Sequence, residues 1–441
     1  MKIPPVKGTR DFYPEEQAIH NYIVDGWKKV SLRNGFEEYD GPIFEYLKMF
    51  QIKSGDEIVE QLFSLTDRGD RELALRPEMT PTLARMVNQR ISSLPRPIKW
   101  FSVPRLFRAE RPQKGRLREF FQWNIDIIGV DDGLGKCLAD AEVIFTTVDY
   151  LRDVGLTSKD IKVKISSREL LADYLRSLGV PEGKLESIYP VLDKRNKLPA
   201  EVFEQLLREQ VPDNGIVNKV MDFMTVDSIP QLEDLLQLKK GTDEYSPYLD
   251  VKLVLDNLAM MEVGDFCVYD PSIVRGLAYY TGIVFEVHDT EGEFRAICGG
   301  GRYDNLLRDL GGPPVSGMGM GMGDCVLEIL LEKKGLLGKQ VPKKELDYFV
   351  ACIGGFGKEA YRVVAKLRSM RYSCNFSYKA ASLSKQLKEA SAQNAKTCII
   401  IGAEEVEKDK ITVKDMATGK QELRGYDEFL SRLDSGSAQG T

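Results

Sequence analysis

The sequence predicts an α+β protein in two folded parts: a strand-rich first part with a helical insertion, and a smaller α/β part behind it. Three observations carry this. Extended apolar segments cluster before residue 130 and again between 266 and 298. Strand signals fade from about 172 to 258, where charged helical stretches such as Ser167 to Leu178 and Ala200 to Gln210 dominate. From residue 343 onward, strands and helices alternate at short spacing. The length of 441 residues fits two to four domains.

In order along the chain, Ile19, Tyr22, Ile23, Trp27 and Val30 recur at helical spacing and predict a helix from Pro14 to Leu32, ended by Asn34-Gly35. Phe36 to Phe44 reads as a strand with Pro42 near its end, and two extended segments follow at Gln61 to Thr66 and Glu72 to Leu75. Arg76-Pro77-Glu78 leads into a helix through Val87. Trp100 to Phe107 and Arg118 to Ile128 read as two strands joined by a basic loop, and residues 134–153 as a helix stopped by Gly155. After the insertion, strand patterns return at Phe266 to Tyr269, Thr281 to Val287 and Phe294 to Cys298. The glycine-rich run from Gly311 to Gly323 opens onto a helix from Asp324 to Leu337. Lys339 to Lys344 reads as a linker, which sets a first domain at 1–338, a second at 343–434 and a polar tail at 435–441.

Composition narrows the function. Hydrophobic residues make up 43% and charged residues 29%, which excludes collagen-like and disordered classes. Two histidines, His20 and His288, cannot build a multi-histidine metal site, and seven scattered cysteines without a CxxC pair predict reduced thiols in a cytosolic protein. Neither a signal nor a transit peptide is evident, and no apolar run nears the roughly 20 residues needed to cross a bilayer. The net charge of −6 taken alone argues against a nucleic-acid partner. Locally the picture reverses. Arg105, Arg108, Arg111, Lys114, Arg116 and Arg118 lie within one loop and its flanks, opposed only by Glu110, and residues 343–434 carry a local +4. A basic loop between two apolar strands suits a polyanion, whether nucleotide phosphates or a nucleic-acid backbone.

Side-chain alternation puts Arg108 and Glu110 on one strand face, and Phe120, Gln122, Asn124 and Asp126 on another. An arginine fork can hold a carboxylate and a phosphate together, and an aromatic ring beside it can stack a base. By themselves these residues fit a cross-strand salt bridge in an ordinary hairpin equally well.

The wording of this run, FRAERPQKGR followed by FFQWNID, resembles motif 2 of the class II aminoacyl-tRNA synthetases and specifically the histidyl-tRNA synthetase family. KGTRDFYPEE (Lys7 to Glu16), LRPEMT (Leu75 to Thr80), VRGLAYYTGIVFE (Val274 to Glu286) and CGGGRYDNL (Cys298 to Leu306) resemble the same family, in family order. Phe36 to Pro42 is similar to class II motif 1, whose proline lies at a dimer interface, and residues 343–434 resemble the anticodon-binding domain shared by the histidyl, prolyl, threonyl and glycyl enzymes.

The resemblance implies an antiparallel-sheet catalytic core and a cytoplasmic homodimer without a membrane span. It also implies L-histidine, ATP and tRNA-His as partners. Glu78, Thr80 and Gln122 would receive the α-ammonium of histidine. Arg108 would bind the substrate carboxylate and the α-phosphate, and act as a catalytic group with Arg275. Asp126 and Tyr280 would read the imidazole, with Tyr279 and Tyr303 lining the pocket; as an isolated pair, Asp126 and Tyr280 fit a buried hydrogen bond as well. Glu110, Arg116 and Phe120 would complete the ATP site. Arg111, Gln113 and Lys114 would touch the acceptor end of the tRNA. No protein metal site is implied, since Mg²⁺ would be held mainly through ATP.

Two positions depart from the family wording. Ala278 stands where RGLDYY has an acid, and aligning Gly319 to Val326 with motif 3 puts Val326 at the position of the arginine that normally lies over adenine and γ-phosphate. The second departure keeps another reading in view, a histidine-sensing regulatory paralogue of ATP phosphoribosyltransferase. Those paralogues typically lack the anticodon-binding domain and degrade the motif 2 loop, whereas this chain has both. A related synthetase charging another amino acid is disfavoured by Gln122 and Asp126 together with the VRGLAYYTGIVFE segment.

Overall fold

The computed structural model describes residues 3–53, 60–195, 198–211, 213–237, 247–274, 277, 279–338, 340–342 and 344–437. The chain divides into two compact units, Met1–Val341 and Pro342–Thr441.

The first unit is built on a nine-stranded sheet of β1 (Glu37–Glu38), β5 (Ile98–Ser102), β6 (Arg105–Phe107), β7 (Glu119–Ile128), β8 (Ile161–Ser167), β9 (Cys267–Tyr269), β10 (Ile283–Asp289), β11 (Cys298–Tyr303) and β12 (Gly317–Gly323). Its order is β1-β5-β7-β12-β11-β10-β8-β9, with β6 paired to β7 off that path. Every ladder from β5 across to β8 is antiparallel, and only the edge pairs β1–β5 and β8–β9 are parallel. A small antiparallel sheet of β2 (Phe44–Tyr46), β3 (Ser64–Thr66) and β4 (Glu72–Leu75) stands apart from it.

Period-two alternation sorts β7 into two faces. Trp123, Ile125 and Ile127 join the main apolar core with Ile23, Trp27 and Val30 of helix Pro14–Arg33 and Val143, Ile144 and Val148 of helix Gly133–Asp153. Trp123 packs 6.3 Å from Trp27 and 5.5 Å from Tyr150 between ring centroids, and its indole N–H donates to Ser31 Oγ at 2.8 Å. Truncating a core tryptophan of this kind costs about 3–5 kcal/mol. Gln122, Asn124 and Asp126 point the other way, so the helices fix one face and leave the opposite face for chemistry.

The glycine-rich run is a strand, not the loop its composition suggested. In β12 glycine alternates with methionine. Met318, Met320 and Met322 are buried in the core, and the glycines fall on the face opposite them. A Cβ at Gly319 would sit 2.0 Å from Asp126 Oδ1, and one at Gly300 of β11 would sit 2.2 Å from the Gly319 carbonyl. Close approach of neighbours, not a bend, is what demands glycine here. The strand expected at Phe294 to Cys298 correspondingly begins later, at Cys298, and runs through the triple glycine.

Two further expectations shift. The strand expected from Phe36 to Phe44 is split into β1 and β2, because Gly41-Pro42 lies between them and proline cannot donate to a ladder. Strand β8 went unread: Ile161, Val163 and Ile165 are buried while Lys162 and Lys164 are only half-buried, so it carries strand periodicity under a charged surface. The helical insertion follows it directly, from helix Arg168–Ser177 through helix Pro247–Met260, and has its own apolar side chains Phe203, Leu207, Val217 and Phe223 fully buried.

The second unit is a five-stranded sheet in the order β14-β13-β15-β16-β17, formed by β13 (Leu346–Cys352), β14 (Cys374–Phe376), β15 (Ala395–Ile401), β16 (Lys410–Asp415) and β17 (Gln421–Gly425). The first three pair in parallel and the last two are an antiparallel extension. Helices Gly357–Ser369 and Leu383–Ala392 connect the parallel strands, as the alternation predicts. Helix Tyr426–Ser437 continues into the stretch expected to be tail, because Phe429 and Leu430 are buried against the sheet.

Candidate active site

Two cavities open on the free face of the sheet. The inner one is lined by Glu78, Thr80, Arg108, Gln122, Tyr279, Tyr280 and Tyr303 around Gly299, Gly319 and Gly321. The outer one is a cleft of about 240 Å³ lined by Arg108, Glu110, Arg116, Phe120, Gln122, Arg295 and Val326 among others. Arg108 and Gln122 line both, so they mark the junction.

The inner cavity is wired by buried hydrogen bonds. Tyr279 donates its hydroxyl proton to Glu78 Oε2 at 2.7 Å, and Tyr303 donates to Asp126 Oδ1 at 2.6 Å. Tyr279 stands edge-on to both Tyr280 and Tyr303, at 5.1 and 6.0 Å between centroids. Burial pushes the Asp126 carboxyl up to about 7, and the Tyr303 hydrogen bond only partly offsets it. Burial likewise raises the Tyr279 and Tyr303 phenols well above their ordinary value. Among the expected histidine contacts that fall in the described residues, Asp126 is the one set back from the cavity wall. Its partner is Tyr303, not Tyr280.

The outer cleft is held by charge and by loops. Arg108 Nε donates to the Pro77 carbonyl at 3.0 Å, and its guanidinium lies 5.2 Å over the Phe120 ring. Arg116 pairs with Glu110. Between them the chain turns tightly, with Gln113 and Arg116 exchanging backbone hydrogen bonds at 2.9 Å around Gly115, whose φ is +73°. Arg111, Gln113 and Lys114 are exposed on this turn. The segment Gly8 to Arg10 buttresses it: the Arg118 amide donates to the Gly8 carbonyl, and Arg10 pairs with Asp324 and Glu328 of helix Asp324–Lys333. Asp324 also accepts from the Phe121 amide at 3.1 Å, tying that helix to β7. Val326 faces the cleft, and a Cβ at Gly115 would meet its Cγ2 at 3.1 Å.

Arg275 and Ala278 lie outside the described residues. Two cleft residues were not read from the sequence. Glu286 lies within β10 and Arg295 three residues before β11, and no spacing rule singles out one charge in such a segment.

An antiparallel sheet with an arginine–aromatic hairpin on one open face and a separate α/β unit is the arrangement of a class II aminoacyl-tRNA synthetase. The histidyl-tRNA synthetase family model matches residues 8–323, and an anticodon-binding domain model matches residues 347–435. The chain is 39% identical over 415 residues to the histidine--tRNA ligase of Opitutus terrae, covering 93% of each chain, and 36% identical over 437 residues to that of Pyrococcus horikoshii, covering 98% of each. The crystal structure of histidyl-tRNA synthetase from Nostoc shares the fold, with a TM-score of 0.79 at 24% identity over 99% of both chains. The chain belongs to the histidyl-tRNA synthetase family.

Proposed function

We propose that this chain activates L-histidine with ATP and transfers it to the 3′-terminal ribose of tRNA-His. The carrying observation is the pair of cavities sharing Arg108: a tyrosine-walled inner cavity with Glu78 and Arg108 in its lining, suited to histidine, and an arginine-rich outer cleft suited to a triphosphate.

Histidine enters the inner cavity with its ammonium toward Glu78, Thr80 and Gln122. Its ring lies among Tyr279, Tyr280 and Tyr303, with Asp126 behind Tyr303 setting the hydrogen-bond polarity of the wall. ATP lies in the outer cleft with adenine on Phe120 and phosphates toward Arg108 and Arg116, and Arg275 keeps the catalytic role that the family resemblance implies. One carboxylate oxygen of histidine attacks the α-phosphorus, the bond to the bridging oxygen of the β-phosphate breaks, and pyrophosphate leaves. The nucleophile is already ionised, so positioning and charge neutralisation at the phosphorus supply the catalysis, and a guanidinium does this without titrating. Mg²⁺ arriving on the triphosphate would find hard oxygen donors in Glu110 and Glu286, and would neutralise the leaving pyrophosphate. In the second step the tRNA ribose hydroxyl attacks the acyl carbon of the mixed anhydride and AMP leaves. Arg111, Gln113 and Lys114 are the exposed contacts for the acceptor end, and the +4 second unit is the one for the anticodon.

We further assign a homodimer in the cytoplasm. The exposed apolar side chains Ile43, Phe44, Tyr46 and Leu65 beside Pro42 support a subunit interface. No helix among the described residues is long and apolar enough to cross a membrane.

Val326 is the feature that favours the regulatory reading. Against it stand the matched anticodon-binding domain and the complete motif 2 hairpin. The deciding experiment is ATP–pyrophosphate exchange with histidine, threonine, proline and glycine in turn. Exchange with histidine alone is expected. Normal histidine binding without exchange, together with capture of a phosphoribosyltransferase in place of tRNA, would sink the proposal.

A further inference from the structure

We infer that Arg295 supplies to the terminal phosphates of ATP the guanidinium that position 326 lacks, an inference that rests on the ATP site assigned above. Val326 and Arg295 line the same cleft as Arg108 and Arg116. The sheet register explains how two residues 31 positions apart reach one place. Strands β11 and β12 are antiparallel with Cys298 opposite Met322, so the start of β11 and the end of β12 emerge at the same end of the ladder. Arg295 lies three residues before that pair on one strand, and Val326 four residues after it on the other.

The loop carrying Arg295 is ordered independently of any ligand. The carboxylate of Asp289, only 6% exposed, accepts from the backbone amides of Glu293 at 2.9 Å and Phe294 at 3.0 Å, and the Ile297 amide donates to the Val287 carbonyl at 2.8 Å. Phe294 lies between two cations, Lys114 of the motif 2 turn at 5.8 Å and Lys333 of helix Asp324–Lys333 at 5.6 Å from its ring centroid. The residue before Arg295 therefore touches both the hairpin and the helix that frame the triphosphate.

The side chain of Arg295 is exposed on the cleft, while the amides of Glu293, Phe294 and Ile297 on either side of it are hydrogen-bonded. Glu110 and Glu286 are the acids on the same cleft; Glu110 is engaged by Arg116 and Glu286 by His288 Nε2 at 2.9 Å. A guanidinium on this loop would bind phosphate oxygens as a planar fork, as one on the helix would. Val326 meanwhile packs toward Gly115 and takes the space an arginine stem would use.

The test compares wild type, Arg295→Ala, and Arg295→Ala combined with Val326→Arg, all in the full chain. The ligands are ATP, histidine and a non-hydrolysable histidyl-adenylate analogue, which lacks the β- and γ-phosphates. For Arg295→Ala, KM for ATP in pyrophosphate exchange is expected to rise about tenfold or more, as for loss of a charge-assisted contact. KM for histidine and affinity for the analogue should stay within twofold. Adding Val326→Arg should recover most of the loss. An unchanged KM for ATP in Arg295→Ala overturns the inference, as does a parallel loss of analogue binding, which would mean a structural role. A double variant that binds the analogue normally but keeps the elevated KM also overturns it, because the two positions would not then serve the same phosphates. Absence of exchange in wild type would instead remove the proposed activity itself.

Discussion

The two cavities meet at Arg108 yet are built by opposite means. The inner one combines sheet strands with the segments around Glu78 and Tyr279, and its polar groups are paired across long sequence distances: Glu78 with Tyr279, Asp126 with Tyr303. Its walls are buried, so a substrate that failed to match their donors and acceptors would leave polar atoms unpaired. The outer cleft is made by a hairpin turn, a loop and a helix start, and its binding groups are partly exposed guanidinium ions. Charge tolerates relocation better than a hydrogen-bond pattern does. A phosphate can be met by a cation from either side, whereas an imidazole can be read only by donors and acceptors at set positions. On the proposed roles, a guanidinium missing at position 326 is therefore easier to replace than a carboxyl missing at position 126 would be.

Three experiments press on that contrast. The largest effect is expected at the junction. Arg108→Ala should lower histidine-dependent exchange by about 10²–10³-fold and raise KM for both substrates; a change confined to one substrate would show that the cavities do not share this residue. Next, Tyr303→Phe removes the donor to Asp126 while keeping the ring. KM for histidine should rise roughly tenfold with KM for ATP within twofold, and a reversed pattern would contradict the division between the cavities.

The smallest effect concerns Asp126 and stability. Burial raises its carboxyl from 3.8 to about 7, so between those values the folded protein holds a proton that the unfolded chain releases. Stability contributed by this group is thus full at low pH and falls as pH rises toward 7, by at most about 1.4 kcal/mol per pH unit. Asp126→Asn should flatten this part of the stability curve in denaturant melts between pH 5 and 8. A curve of unchanged slope would mean that the carboxylate is ionised throughout.

What was legible in the sequence follows from how local each feature is. Alternation along one strand already set Phe120, Gln122, Asn124 and Asp126 on one face, but only the resemblance of FRAERPQKGR and FFQWNID to a family motif marked that hairpin as a site. The alternating helices and strands of the second unit were legible from local pattern. The glycine runs were not read as strands because glycine carries no alternation of its own, and only the neighbours Asp126 and the Gly319 carbonyl reveal why a Cβ is forbidden. Strand β8 hid behind its lysines. The partner of Asp126 lies 177 residues away, and Arg295 reaches its cleft only through the β11–β12 register, so neither is encoded in any local pattern.

The alternation in β12 also constrains any attempt to redesign the inner cavity proposed for the amino acid. One side of that pocket is bare backbone, with Gly319 and Gly321 presenting no atoms that could be trimmed. A larger substrate cannot be accommodated there by making side chains smaller, and any substitution on that side can only subtract room. Variant libraries aimed at a larger ligand must work on the side chains of the cavity, such as Tyr279, Tyr280 and Tyr303, where volume exists to be removed.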